Sequence, residues 1–599
     1  MIDITKKSLQ QIQCPTNWNC ERTITRQVMP AANYYSEAFT VESASSKMQM
    51  PIFGYAEFVA AMALLAVVYT ITDLRYKFRA RVAPIPLYQL TAVFSVVIGV
   101  GALVSNYWFS EELPIWHFLN SLALIQSILG AIFLILMCAW AFFVGMPAKY
   151  QRANCVAFAR AVNVRIISGK KEELLMLADA LGDTAQEIVR NAPTANERTQ
   201  AMVVAPFLTD AQTFKTYTND LLFMLASPRM TQAIAESSGI AAMRLFLEAS
   251  KQEKRDINLS LFSRNLIDAM LKNKNSLLYA EQDIHEHGFL GHMQYFRKAI
   301  FGDYKLVEQQ GSYIHSPLDA KGSIEDPYDA EQLEVYGQCF LITAQDYLRV
   351  NSHFPHSFTL YRFLSNLVDN IQHSGFNKYD GSIINPKAPL EKFRIASKIF
   401  AQLISMFDGA YARANYRPPL KQSLFIERIA GQVSSLIEAG LRLELEHSST
   451  QWWLHYSMIW DTFFNNDNPG AVSLQIRRLV LRIFGTSIRQ LEKYPNYSNT
   501  AIYAFSLNIA NFSRSMSRKR ERSERQTDAF LRGVMMWTRK HFTNVVENNP
   551  RALEKMLPST ISYDSYRGVL IRHYHEKLSG TDKHQTTEFK LLKRQKLIY

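Results

Sequence analysis

Five cysteines in 599 residues are too few for a disulfide framework. Cys138 lies in an apolar run, and Cys155 and Cys339 stand alone, so each is expected to be a buried thiol. Cys14 and Cys20, in CPTNWNC, are close enough to pair if that segment faces an oxidising compartment. Their spacing fits no common zinc pattern, and no second cysteine pair completes one.

Phosphate-cradling and nucleophile motifs are missing too. There is no G-x-x-x-x-G-K-[ST], and SGKKEE at 168–173 lacks the first glycine and the hydroxyl residue. Neither G-x-G-x-x-G nor a G-x-S-x-G elbow occurs. These absences weigh against an ATPase, a dinucleotide enzyme or an α/β-hydrolase, and no cofactor is expected. Alternating strand patterns bounded by Gly-Asn or Asp-Gly turns are nearly absent. No fixed repeat period marks a solenoid. MIDITKKSLQ is followed by polar sequence, so no cleavable signal peptide is expected.

The most telling absence is of charge. From Val82 to Ser110 there is no charged residue, and from Leu113 to Ala148 only His117 can carry charge. About 20 apolar residues cross the hydrocarbon core, and both stretches are long enough. A third candidate, IFGYAEFVAAMALLAVVYTIT, contains Glu57 near its start, where a carboxylate can reach the interface. Three spans are therefore expected, at about 52–72, 86–108 and 121–145. Tyr107, Trp108, Trp116, Trp140 and Phe142 fall near their boundaries, as interfacial aromatics do.

Orientation follows from Lys and Arg. The link DLRYKFRARV carries Arg75, Lys77, Arg79 and Arg81, and KYQRANCVAFARAVNVRIISGKK after the third span has no acid. The link SEELPIWH has two glutamates and neither Lys nor Arg. The positive-inside rule then places the first link and the bulk of the chain in the cytoplasm, and the tail 1–50 outside. A multi-pass protein of the cell (inner) membrane is expected. The net charge of +13 suits an anionic membrane surface as well as it suits nucleic acid.

Beyond the membrane region, 51–147, the apolar period is helical almost throughout. AEQLEVYGQCFLITAQDYLRV sets Leu333, Tyr336, Phe340, Ala344 and Leu348 on one stripe. HSFTLYRFLSNLVDNI does so with Leu360, Leu364, Leu367 and Ile371, and EKFRIASKIFAQLISMF with Phe393, Phe400, Leu403 and Phe407. The fold class read from this is all-α, three amino-terminal membrane helices followed by a large irregular helical cytosolic region. Gly, Pro and Asp in GSYIHSPLDAKGSIEDPYDA mark a linker at 313–329, dividing helical domains 148–312 and 330–599. SGFNKYDGSIINPKAP, at 374–389, reads as a long loop within the second.

DIHEHGFLGH, at 283–292, is the densest cluster of potential metal ligands. A zincin helix needs histidines four apart, whereas these stand two and five apart. On a helix, His285 and His287 point about 200° from each other, so one ion is held only on an extended segment. The simpler reading is a helix ending near Gln282, then a glycine loop. If a site exists there, for a metal ion or for proton transfer by histidine, His285, His287 and His292 with Asp283 or Glu286 build it.

RSMSRKRERSER, at 514–525, contributes Arg518, Lys519, Arg520, Arg522 and Arg525, with Glu521 and Glu524 spaced to pair with them on a helix. This is a solvated face, or a contact for an acidic protein partner or the membrane surface. Nucleic acid is disfavoured, because no aromatics interleave with the arginines. Ser95/Gly99 and Gly101/Ser105 allow close helix packing, within one protomer or in a homo-oligomer. A pore lined by Gln126 and Ser127 arises only in the oligomer.

These features point to a non-enzymatic membrane anchor carrying a helical cytosolic domain that binds a protein or a signalling ligand. The alternatives are an oligomeric pore-forming or membrane-perturbing effector gated by that domain and, below it, a membrane-tethered metal-dependent hydrolase.

Overall fold

The computed structural model describes residues 54–592, except 71–72, 112–120, 204–209, 238, 287–293, 312–314, 321–326, 352, 375–386, 415–419, 421–422, 444–447, 466–468, 511, 513–521 and 577–582. The tail with Cys14 and Cys20 lies outside them. Helix dominates, at 78% against 3% strand.

Four helices make the apolar region and its link: α1 (Tyr55–Thr70), α2 (Leu74–Val82), α3 (Leu87–Ser110) and α4 (Leu122–Gly145). At ~1.5 Å per residue, the 24 residues of α3 and of α4 each extend about 36 Å, enough for a ~30 Å hydrocarbon core. Of the three expected spans, α1 has 16 described residues, which extend about 24 Å. Among the described residues, α3 and α4 are the two helices long and apolar enough to cross a membrane. Glu57 turns back to accept from the Gly54 amide at 2.8 Å, so the one acid of α1 satisfies its own helix start.

α1, α3 and α4 share a small cluster of Phe58, Ile98, Ala102 and Leu129. Phe58 lies directly over Gly99, where a Cβ would meet the ring at 2.8 Å, so this small residue serves packing within the chain. Trp140, expected at an interface, is instead buried and donates from Nε1 to Thr91 Oγ1 at 2.7 Å, tying α4 to α3. The outer faces stay bare: Val96 is 64% and Ile135 68% exposed. Cys138 is exposed on α4, unlike the expected buried thiol, whereas Cys155 and Cys339 are buried.

The remainder is an irregular stack of helices around one contiguous core that runs from Phe78 to Leu591. It begins with α5 (Cys155–Ser168) and α6 (Lys171–Asp183). Asp329 and Gln332 form a capping box that starts the helix Ala330–Val350, and its predicted stripe faces inward, with Phe340 and Ala344 fully buried. That helix packs on the 27-residue Lys387–Arg413 helix, whose Phe393, Phe400 and Phe407 are buried as expected.

Helix Leu424–Leu441 approaches the same helix closely at Gly440, where an added Cβ would lie 2.4 Å from the buried Phe393 ring. Gly440→Ala is expected to lose about 1–3 kcal/mol by overpacking, read as a lower denaturant midpoint at unchanged slope. An unaltered midpoint would show that the ring has room to move.

Periodicity did not anticipate the carboxyl-terminal sheet. β1 (Ile561–Asp564), β2 (Val569–Glu576) and β3 (Lys583–Lys590) pair antiparallel in sequence order. Register pairs Ile561 with Arg572 and Val569 with Lys590. Left-handed Gly568 (φ 64°) closes the first turn. The buried Arg572 donates to the carbonyls of Asn508 and Ala510 at 2.8 and 3.1 Å, fastening the sheet to the helical core.

Candidate functional site

The site that the sequence composes most deliberately is the joint between the apolar helices and the core. In LRYKFRARV, Phe78 and Val82 lie four apart and share one face of α2, with Ala80 on another. Phe78 and Val82 enter the large core, while Ala80 joins Leu87, Leu136 and Trp140 of the apolar helices. One nine-residue helix is thus packed into both bodies.

Its polar atoms bind in both directions. Arg79 donates through Nη1 to the carbonyls of Val144 and Gly145, at 3.1 and 3.2 Å, placing a cation at the negative end of α4. Asn154 donates from Nδ2 to the Val82 and Lys149 carbonyls, each at 2.9 Å, and accepts from the Gln151 amide at 2.8 Å. The Phe78 ring meets Phe158 edge-on at 5.5 Å, and the Arg165 guanidinium lies 5.4 Å from its centre. Burial lowers the Arg165 pKa, Glu173 at 3.9 Å raises it, and the nearby Arg81 lowers it again. Tyr150, in the segment after α4, is fully buried against Phe158 and Phe214, with its hydroxyl 3.0 Å from Thr218 Oγ1.

The sequence-predicted candidates fare unevenly. The helix expected to end near Gln282 continues to Glu286, so the backbone of His285 is helical. His287 and His292 lie outside the described residues. Both flanks of that stretch are fixed by Glu281, whose carboxylate accepts from the Phe296 and Arg297 amides at 2.7 and 3.0 Å. Among the described residues no group of three His, Cys, Asp or Glu is arranged to hold a metal ion. Arg522 and Arg525 open the helix Arg522–Asn548, and Arg518, Lys519 and Arg520 lie outside the description.

Gln126 is buried between α3 and α4, donating to Asn106 Oδ1 at 3.3 Å. Ser127 is exposed, with its hydroxyl on the Ala123 carbonyl at 2.7 Å. The two neighbours do not share a face, as expected one residue apart on a helix. Sequence reading missed Phe78, Asn154 and Arg165, although the Phe78/Val82 spacing within a basic link was available as a signal.

A buried titratable group also lies in an eight-residue π-helix, Leu454–Asp461. His455 is 4% exposed, and its Nδ1 accepts from Asn508 Nδ2 at 3.1 Å. Burial holds its pKa down at about 4. The unfolded chain takes up this proton below about pH 6.5, whereas the folded chain does so only near pH 4. Its contribution is therefore complete above pH 6.5 and is lost as pH falls toward 4, by up to about 3 kcal/mol at ~1.4 kcal/mol per unit. His455→Gln should flatten that part of the stability profile measured against wild type. Parallel profiles for the two proteins would refute the assignment.

Comparison with family models, curated proteins and solved structures finds no match. The architecture itself gives the class: a mostly helical chain with a small carboxyl-terminal sheet and, among the described residues, two helices long and apolar enough to cross a bilayer.

Proposed function

We propose that this is an integral membrane protein that anchors a helical sensor or interaction domain at the cytoplasmic surface and performs no chemistry of its own. The observation that carries this reading is the membership of α2 in two packed clusters. A passive tether needs only a flexible linker, whereas a helix gripped on both sides transmits displacement. Only 33% and 17% of the apolar windows of α3 and α4 are buried, which supports lipid as their solvent. α1, gathered against α3 around Phe58, is read as the third crossing. Basic α2 and the segment after α4 then face the cytoplasm, with the amino-terminal tail outside.

The test is membrane pelleting combined with cysteine labelling. The full chain should resist alkaline extraction, and Tyr566→Cys, at a site 93% exposed, should react only after the membrane is opened. Recovery in the supernatant without detergent, or labelling of that cysteine from outside, would sink the proposal. Ion conductance in liposomes would transfer it to the oligomeric pore.

A further inference from the structure

A cavity of about 420 Å³ lies between the Lys387–Arg413, Leu424–Leu441 and Ala471–Gln490 helices, within the size range of small-molecule sites. Arg477 lines it and is only 4% exposed. Its Nε has no hydrogen-bond partner, and no carboxylate among the described residues pairs with the guanidinium. Every other strongly buried arginine has an answer: Arg362 meets Asp319, Arg297 the Leu278 carbonyl, Arg572 two carbonyls, and Arg165 faces Glu173. Among the described residues, Arg477 is the strongly buried arginine with no carboxylate or carbonyl recorded opposite it. A desolvated, uncompensated charge costs several kcal/mol and is retained only where something neutralises it.

Asp408, on the same cavity wall, does not serve. Its Oδ1 accepts from the Val472 and Ser473 amides at 2.7 and 3.2 Å, and its Oδ2 from the Ser473 hydroxyl, so it caps the helix that carries Arg477. The desolvation that lowers the Arg477 pKa is offset by no neighbouring charge. The remaining lining mixes the hydroxyls of Ser405 and Thr462 with the aromatic Phe463 and Phe464, just past the end of the π-helix. Interruptions of that kind gather at functional sites.

We infer that this cavity binds a small monocarboxylate with an apolar body, its carboxylate forked by the Arg477 guanidinium and its body against Phe463 and Phe464. A guanidinium matches a carboxylate through two parallel N–H···O bonds. Phosphate matches the fork equally well, but its second charge would face the Asp408 carboxylate. Such a ligand as the domain's signal rests on the sensor reading above, whereas its binding does not. Failure to bind leaves the membrane reading intact, and failure to pellet with membranes leaves this site intact.

The test is thermal unfolding of the detergent-solubilised full chain with benzoate, its neutral isostere benzamide, and inorganic phosphate, each at millimolar concentration. Benzoate should raise the Tm by a few degrees, and benzamide and phosphate should not. Arg477→Met removes the buried charge and should raise the ligand-free Tm while weakening benzoate binding roughly tenfold or more. Ala401→Leu narrows the cavity with Arg477 intact, and it too should lose the benzoate shift even if the first variant is not recovered folded. The inference is overturned by an equal benzoate shift in both variants, by a stronger response to phosphate, or by no response to benzoate in the wild type.

Discussion

Replacing Asp319 with alanine is expected to destabilise the helical core by about 3–5 kcal/mol, the usual loss when one partner of a buried ion pair is removed. The side chain of Asp319 is 2% exposed and that of Arg362 12%. Both carboxylate oxygens accept from Arg362, and Oδ2 also accepts from the Ser316 amide at 2.6 Å, completing a capping box. The guanidinium is further held 4.9 Å from the Phe358 ring centre, so it cannot swing out to water when its carboxylate is lost. Arg362→Met in the same background should restore much of the loss, because an apolar pair avoids burying an unopposed charge. Denaturant titration of wild type, both single variants and the double variant reads this directly. A single-variant loss below about 1 kcal/mol, the range of an exposed ion pair, would contradict the buried assignment.

Phe78→Ala should cost about 3–5 kcal/mol, the range for emptying a buried aromatic site. The ring is 1% exposed, with Phe158 on one side and Arg165 stacked against it. Its loss leaves a cavity under a guanidinium that is itself buried, so the site has little freedom to collapse. The distinguishing readout is local. Proteolysis should open the links flanking α2 while membrane pelleting persists, since Ala80 still packs with the apolar helices. If both links stay protected and the Tm is unchanged, α2 is not held by the core.

Much of the helical architecture was legible because a 3.6-residue period survives wherever one face is buried. Ala330–Val350 was readable from its stripe, and Asp329 with Gln332 marks its start chemically. The two long apolar helices, α3 and α4, were visible from missing charge alone. The sheet escaped because β2 reads VLIRHYHE, in which the buried Arg572 breaks the apolar alternation that marks a half-buried strand. Arg477 escaped for a related reason. An arginine in IRRLVLR looks like a solvated face until three helices close around it. Asp319 was hidden in a stretch whose Gly, Pro and Asp content suggested a boundary, although Leu318 and Ala320 beside it are buried in the common core.

α2 leads into α3 through only four residues, 83–86, and is clamped to α4 through Arg79. The helical core therefore has no free swivel about the axes of α3 and α4. If two copies meet along the bare valine edge of α3, the azimuth of each large domain is set by that meeting, and on the proposed membrane reading the choice of facing surfaces is made between the apolar helices.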